Sequence, residues 1–122
     1  MKIRIKGNSI RLRLTKSEIE AFAAKGFLQD STSFGNNSLV YAMKNYAGQN
    51  LSADLNDATI TVYVPEHFIK DWIGSNLVGL EHSMAMPNGE RLHILIEKDF
   101  KCIDALITED QSDYFENPAK SC

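Results

Sequence analysis

Residues 1–26 read MKIRIKGNSIRLRLTKSEIEAFAAKG, and three local signals lie within them. In 2–6 the apolar residues are Ile3 and Ile5; in 9–14 they are Ile10, Leu12 and Leu14. Alternation with period two marks strands with one apolar and one polar face. A two-residue loop at Gly7-Asn8 pairs Ile5 with Ile10 and Ile3 with Leu12, so turn chemistry and apolar register agree. The same register sets Arg4 against Arg11 and Lys2 against Arg13. Each like-charge pair is unfavourable by a few tenths to about 1 kcal/mol, so something nearby must offset it. Thr15 with Glu18 then forms a capping box, and Leu14 with Ile19 has the spacing of a hydrophobic staple. Ile19, Phe22 and Ala23 share one helical face, and Gly26 ends the helix.

Shifted by fifty residues, the arrangement recurs. Ile5 aligns with Leu55, Ile10 with Ile60, Leu12 with Val62, Leu14 with Val64, Ile19 with Ile69 and Phe22 with Trp72. A loop at Asn56-Asp57 pairs Ala53 with Ile60 and Leu51 with Val62. Pro65 suits a first helical position, Gly74 a helix end, and Phe68, Ile69, Trp72 and Ile73 a buried stripe. A second hairpin follows each helix. In the second half the loop Pro87-Asn88-Gly89 aligns Met84 with Leu92, His82 with Ile94 and Leu80 with Ile96, with Gly89 left-handed. In the first half Gly35-Asn36-Asn37 serves between 28–34 and 38–46. The expected fold is therefore α+β: two tandem strand–strand–helix–strand–strand repeats, about eight strands and two helices. Its strands are expected to form an antiparallel, strongly curved or closed barrel. Residues 1–122 read as a single domain, with a first repeat at 1–50, a second at 51–99 and an acidic C-terminal tail at 100–122.

A 122-residue chain with 43% hydrophobic and 24% charged residues has the balance of one soluble globular domain. No apolar run approaches the ~20 residues of a membrane-spanning helix, and the basic N-terminus lacks the apolar stretch of a signal peptide. The sequence therefore points to the cytoplasm and to no membrane partner. Cys102 and Cys122 fit no zinc spacing and read as reduced thiols. Charge is uneven: Lys2, Arg4, Lys6, Arg11 and Arg13 fall within 1–14, although the whole chain carries −3. Asp104, Glu109, Asp110, Asp113 and Glu116 fall within 104–116, without a Lys or Arg among them.

The opening MKIRIKGNSIRLRLT, the central VGLE and the later LIEKDFKC resemble a family of small uncharacterised bacterial proteins. That resemblance covers most of the chain and implies no activity. In topology the duplicated units also look like the triphosphate tunnel (CYTH-like) fold, whose barrel binds phosphate chains through Arg and Lys. That family's first strand carries Glu-x-Glu-x-Lys, where the glutamates help hold a metal. The stretch here is Lys2-Ile3-Arg4-Ile5-Lys6, so only Lys6 carries over and metal-dependent hydrolysis loses its ligands.

The candidate site is the basic cluster. Lys2, Arg4, Lys6, Arg11 and Arg13, joined by Arg91 and His93 if the second-half hairpin closes onto the same surface, could bind an anion. Guanidinium groups suit phosphate oxygens, and clustering strengthens each contact. The plainer alternative is that acidic side chains of adjacent strands or of the tail neutralise the cluster. Nucleic acid is disfavoured by the acidic overall balance and the lack of aromatic residues in the opening stretch. His82 falls on an apolar strand face and reads as a hydrogen-bonded core histidine rather than a ligand, and no metal or cofactor is called for. No nucleophile elbow or glycine-rich phosphate loop is present. The sequence thus supports a small non-enzymatic binding or accessory protein of unknown role. The alternative is a protein that binds or hydrolyses triphosphate or polyphosphate in a basic channel; the oligomeric state stays open.

Overall fold

The computed structural model describes residues 1–100 and 112–116. Strands β1 (Lys2–Lys6) and β2 (Ser9–Leu14) form the first hairpin, with Lys2 opposite Arg13, Arg4 opposite Arg11 and Ile5 opposite Ile10. Helix α1 spans Lys16–Lys25. At its start the Thr15 amide donates to the Glu18 carboxylate at 2.9 Å, and the Thr15 hydroxyl accepts from the Glu18 amide. At its end Gly26 adopts φ 71° and donates its N–H to the Phe22 carbonyl, a conformation that costs an L side chain ~1–2 kcal/mol. Strands β3 (Phe27–Ser33) and β4 (Ser38–Tyr46) complete the first half. The second half repeats the order with β5 (Ser52–Asn56), β6 (Thr59–Pro65), α2 (Glu66–Trp72), β7 (Gly79–Ala85) and β8 (Arg91–Lys98).

The expected barrel is not formed. The strands make two four-stranded mixed sheets, sheet A in the order β1-β2-β8-β7 and sheet B in the order β3-β4-β6-β5. Inside each sheet two antiparallel hairpins are joined by a parallel pair, β2 with β8 and β4 with β6. The reason lies in the helices. Helix α1 leads from β2 of sheet A to β3 of sheet B, and α2 from β6 of sheet B to β7 of sheet A, so each half's second hairpin joins a different sheet from its first. Among the described residues, strands β1, β7, β3 and β5 remain as edges, and the likeness to the tunnel fold is not supported.

Three smaller expectations also change. The β5–β6 turn lies at Asp57-Ala58, pairing Leu55 with Ile60 and Ala53 with Val62. Both turn residues have positive φ, 48° and 59°, as a two-residue hairpin of the favoured hand requires. Pro65 closes β6 and flanks α2, which begins at Glu66. Ile73 lies beyond the helix end and is 40% exposed, leaving Phe68, Ile69 and Trp72 as the buried stripe. The hairpin loop at residues 86–90 matches expectation, with Met84 opposite Leu92 and Gly89 at φ 86°.

The sheets share one core. Leu12, Leu14, Ile94 and Ile96 of sheet A meet Met43, Val62 and Val64 of sheet B, with Ile19 and Phe22 from α1 and Phe68, Ile69 and Trp72 from α2. Each fully buried apolar side chain of this size contributes about 1.5–3 kcal/mol by leaving water. The buried Trp72 indole donates to the Val78 carbonyl at 3.1 Å, so its one polar atom is satisfied.

The pairings coincide rung for rung. In sheet A one rung reads Lys2–Arg13–Glu97–Gly79; in sheet B the corresponding rung reads Ser52–Tyr63–Lys44–Phe27. The next rungs are Arg4–Arg11–Leu95–Glu81 and Asp54–Thr61–Ala42–Gln29. The third are Lys6–Ser9–His93–Ser83 and Asn56–Thr59–Val40–Ser31.

Candidate anion-binding face

Period two fixes which side chains share a face. With Ile10, Leu12, Ile94 and Ile96 turned into the core, Arg11, Arg13, His93 and Glu97 stand on the opposite side of sheet A. Lys2, Arg4 and Lys6 share that side through the β1–β2 register, and Arg91 shares it at the end of β8. All seven sequence-nominated residues therefore meet on one outer face. What joins Arg91 and His93 to the others is the direct parallel pairing of β2 with β8, not the closure of a barrel. Among the described residues no tunnel encloses them, and the channel reading of the chemistry falls with the barrel.

The face carries its own carboxylates, which the sequence reading did not assign. Arg13 Nε donates to Glu97 Oε1 at 2.8 Å, and Arg11 Nε lies 3.5 Å from the same oxygen. The Asp99 amide donates to the Leu14 carbonyl at 2.8 Å, which holds Asp99 at the end of β2; its carboxylate reaches Lys2 Nζ at 2.9 Å. His93 Nε2 lies 3.3 Å from Glu81 Oε2. Arg91 donates from Nη1 to the Ser83 carbonyl at 3.1 Å, and its own carbonyl accepts from the Asn8 side-chain amide. Adjacent strands therefore offset part of the β1–β2 repulsion. Glu97 was legible in principle, because it follows Leu95 at the outward parity of β8.

Among the described residues, six permanent cations (Lys2, Arg4, Lys6, Arg11, Arg13 and Arg91) share the surface with three carboxylates, Glu81, Glu97 and Asp99, and neither Arg4 nor Arg11 is without a partner. Lys2 and Arg13 are 75% and 46% exposed at their side chains, where each pair contributes about 0.2–1 kcal/mol and salt weakens it. Along β1 the cations recur every second residue, a spacing of about 6.6 Å. Lys6 has no ion-pair partner among the described residues.

Elsewhere, His82 faces inward opposite Ile94 but is only half-buried, and among the described residues no hydrogen bond holds its ring, short of the hydrogen-bonded core histidine expected. Cys102, Cys122 and the Glu109-Asp110 pair lie outside the described residues, as does most of the acidic tail. Among the described residues no cluster of three or more His, Cys, Asp or Glu could hold a metal ion. No described helix is long and apolar enough to cross a membrane. An open cleft of about 400 Å³, lined by Ala23, Asn45, Glu66, His67, Ile69 and Lys70, contains no residue of the basic face.

A family described as a family of unknown function, DUF7009, matches residues 1–119. No curated protein and no solved structure matches the chain.

Proposed function

We propose that this chain, which belongs to the DUF7009 family of unknown function, is a non-enzymatic binding or accessory module that takes an anionic partner on the outer face of sheet A. The observation that carries this reading is the contrast between the sheets. Positions equivalent in register to Lys2, Arg4, Lys6, Arg11 and Arg13 hold Ser52, Asp54, Asn56, Thr61 and Tyr63 on sheet B. The same framework is thus built without the cations, so strand pairing does not require them. Like charges set opposite one another are unfavourable in themselves, which supports a surface shaped for something besides strand pairing. The matching element order and registers also support an origin by duplication, with the cationic face kept by the first hairpin.

The test is thermal unfolding at low ionic strength with inorganic phosphate, tripolyphosphate and sulfate. Binding to the folded state raises Tm in proportion to RT ln(1 + [L]/Kd). The reading expects tripolyphosphate to stabilise most and the effect to fade by about 0.5 M salt, where the Debye length falls well below 8 Å. Equal Tm with and without each anion at low salt would remove it.

A further inference from the structure

The shape of the basic surface narrows the partner. Resting on the anion-binding reading above, we infer that the edge of β1 receives an extended peptide whose acidic and apolar residues alternate, adding a fifth strand to sheet A. Small phosphate compounds are ordinarily held in concave sites whose walls surround them. Lys2, Arg4 and Lys6 form a straight row on a strand that is an edge among the described residues, at the two-residue spacing of a strand. An added strand presents its own alternate side chains with the same spacing. Glutamates or aspartates directly opposite Lys2, Arg4 and Lys6 then lie at cross-strand pair distance, where opposite charges attract.

The other face of β1 fits the same partner. Ile3 is half-buried against the core, whereas Ile5 is 57% exposed, so the inner apolar row of sheet A is unfinished at its edge. Apolar residues of the incoming peptide fall opposite Ile3 and Ile5 and cover that row. Charged residues on edge strands can also serve only to prevent strand-to-strand aggregation. That role does not account for Arg11 and Arg13, which lie on the same face but on the interior strand β2. Nor do the other edges share it: β3, β5 and β7 carry Asp30, Asp54 and Glu81, and none carries a Lys or Arg.

The experiment titrates the full chain with two isomeric peptides, GEVEVEG and GEEVVEG, and with tripolyphosphate, by fluorescence anisotropy or calorimetry at low salt. The alternating peptide is expected to bind at least tenfold more tightly than its isomer. N-methylation of one alternate set of its amides should abolish that advantage, while methylation of the other set leaves it. Lys2→Ser with Lys6→Ser should weaken it tenfold or more, and Lys44→Ser on sheet B should not. Equal affinity of the two isomers, with tripolyphosphate still bound, would overturn the fifth strand and leave anion binding standing. Failure of all three ligands would remove both. Self-association of the wild type that Arg4→Glu abolishes would assign the edge to a second copy, against the inference. Aggregation of the Lys2→Ser, Lys6→Ser variant without change in peptide affinity would reduce the cations to edge protection and also overturn it.

Discussion

Arg13 and Glu97 meet across the parallel pair of β2 and β8, with Nε donating to Oε1 at 2.8 Å, and Arg11 approaches the same oxygen. One carboxylate from the last strand thus holds two guanidinium groups from the first hairpin. It lowers the repulsion that the β1–β2 register creates and also lowers the positive potential of the face.

Glu97→Gln separates these two effects. Because Arg13 is 46% exposed, the loss of stability should not exceed about 1 kcal/mol. Affinity for tripolyphosphate should rise about threefold or more, since a competing negative charge is gone. Calorimetric titration beside urea unfolding measures both; a fall in affinity would show that Glu97 orients the arginines for the ligand instead of competing with it.

The β5–β6 turn carries identifiable strain. Ala58 sits at φ 59° without the freedom of glycine, whereas its first-half counterpart Asn8 does not have positive φ and Gly7 at φ 55° is the counterpart of Asp57. Ala58→Gly should therefore stabilise the protein by about 0.5–1 kcal/mol, the relief of a left-handed backbone outweighing the greater freedom of the unfolded chain. Trp72, the single tryptophan, is fully buried and reports the unfolding midpoint by fluorescence. A lower midpoint would contradict the turn assignment.

Gly79 is governed by space instead of dihedral angle. A Cβ there would stand 2.1 Å from the Ile96 carbonyl oxygen and 2.9 Å from Glu97 Cα, both backbone atoms of the neighbouring strand. Gly79→Ala should cost about 1–3 kcal/mol by forcing β7 away from β8. Gly35 has nothing within 4 Å of such a Cβ, so Gly35→Ala should be limited by its φ of 88° alone. Comparable amide-exchange changes along β7 and β8 in both variants would oppose this account.

The α1 cap makes stability depend on pH. Partial burial pushes the Glu18 carboxyl up, but hydrogen bonds from the Met1 amino group and from the Thr15 amide and hydroxyl more than reverse this, leaving it below its ordinary 4.5. A group whose folded pKa is depressed contributes stability that is present above its unfolded pKa and lost as pH falls through the folded one. Glu18→Gln should therefore flatten the decline in stability below about pH 4.5 while lowering stability at neutral pH. Thr15→Ala should cost about 1 kcal/mol at neutral pH. An unchanged acid limb in Glu18→Gln would exclude this group as its source.

Local order was legible because its signals are local. Ile3, Ile5, Ile10 and Leu12 fix a register without reference to the rest of the chain, and Thr15, Glu18 and Gly26 bound a helix by hydrogen bonding alone. The turn at Asp57-Ala58 was available from the fifty-residue alignment, since Gly7-Asn8 maps onto it, but the Asn56-Asp57 turn signal displaced it by one residue. Sheet assembly was not legible in this way. Whether Leu12 lies beside Ile96 or beside another inner strand depends on where each helix carries the chain, and strand periodicity is silent on that. The seven site residues were grouped from sequence; their partners Glu97, Asp99 and Glu81 were not, because those contacts exist only once β8 lies against β2.

The most direct measurement exchanges chemistry between the sheets while keeping the frame. In the full chain, Lys2→Ser, Arg4→Asn, Lys6→Asn and Arg11→Thr give the outer face of sheet A a composition close to that of its counterpart, leaving Arg13 with Glu97. Calorimetric titration with tripolyphosphate at low salt should show binding in the wild type and at least a tenfold loss in the variant, with urea stability held or improved. Undiminished binding by a folded variant would contradict the assignment of this face to an anionic partner.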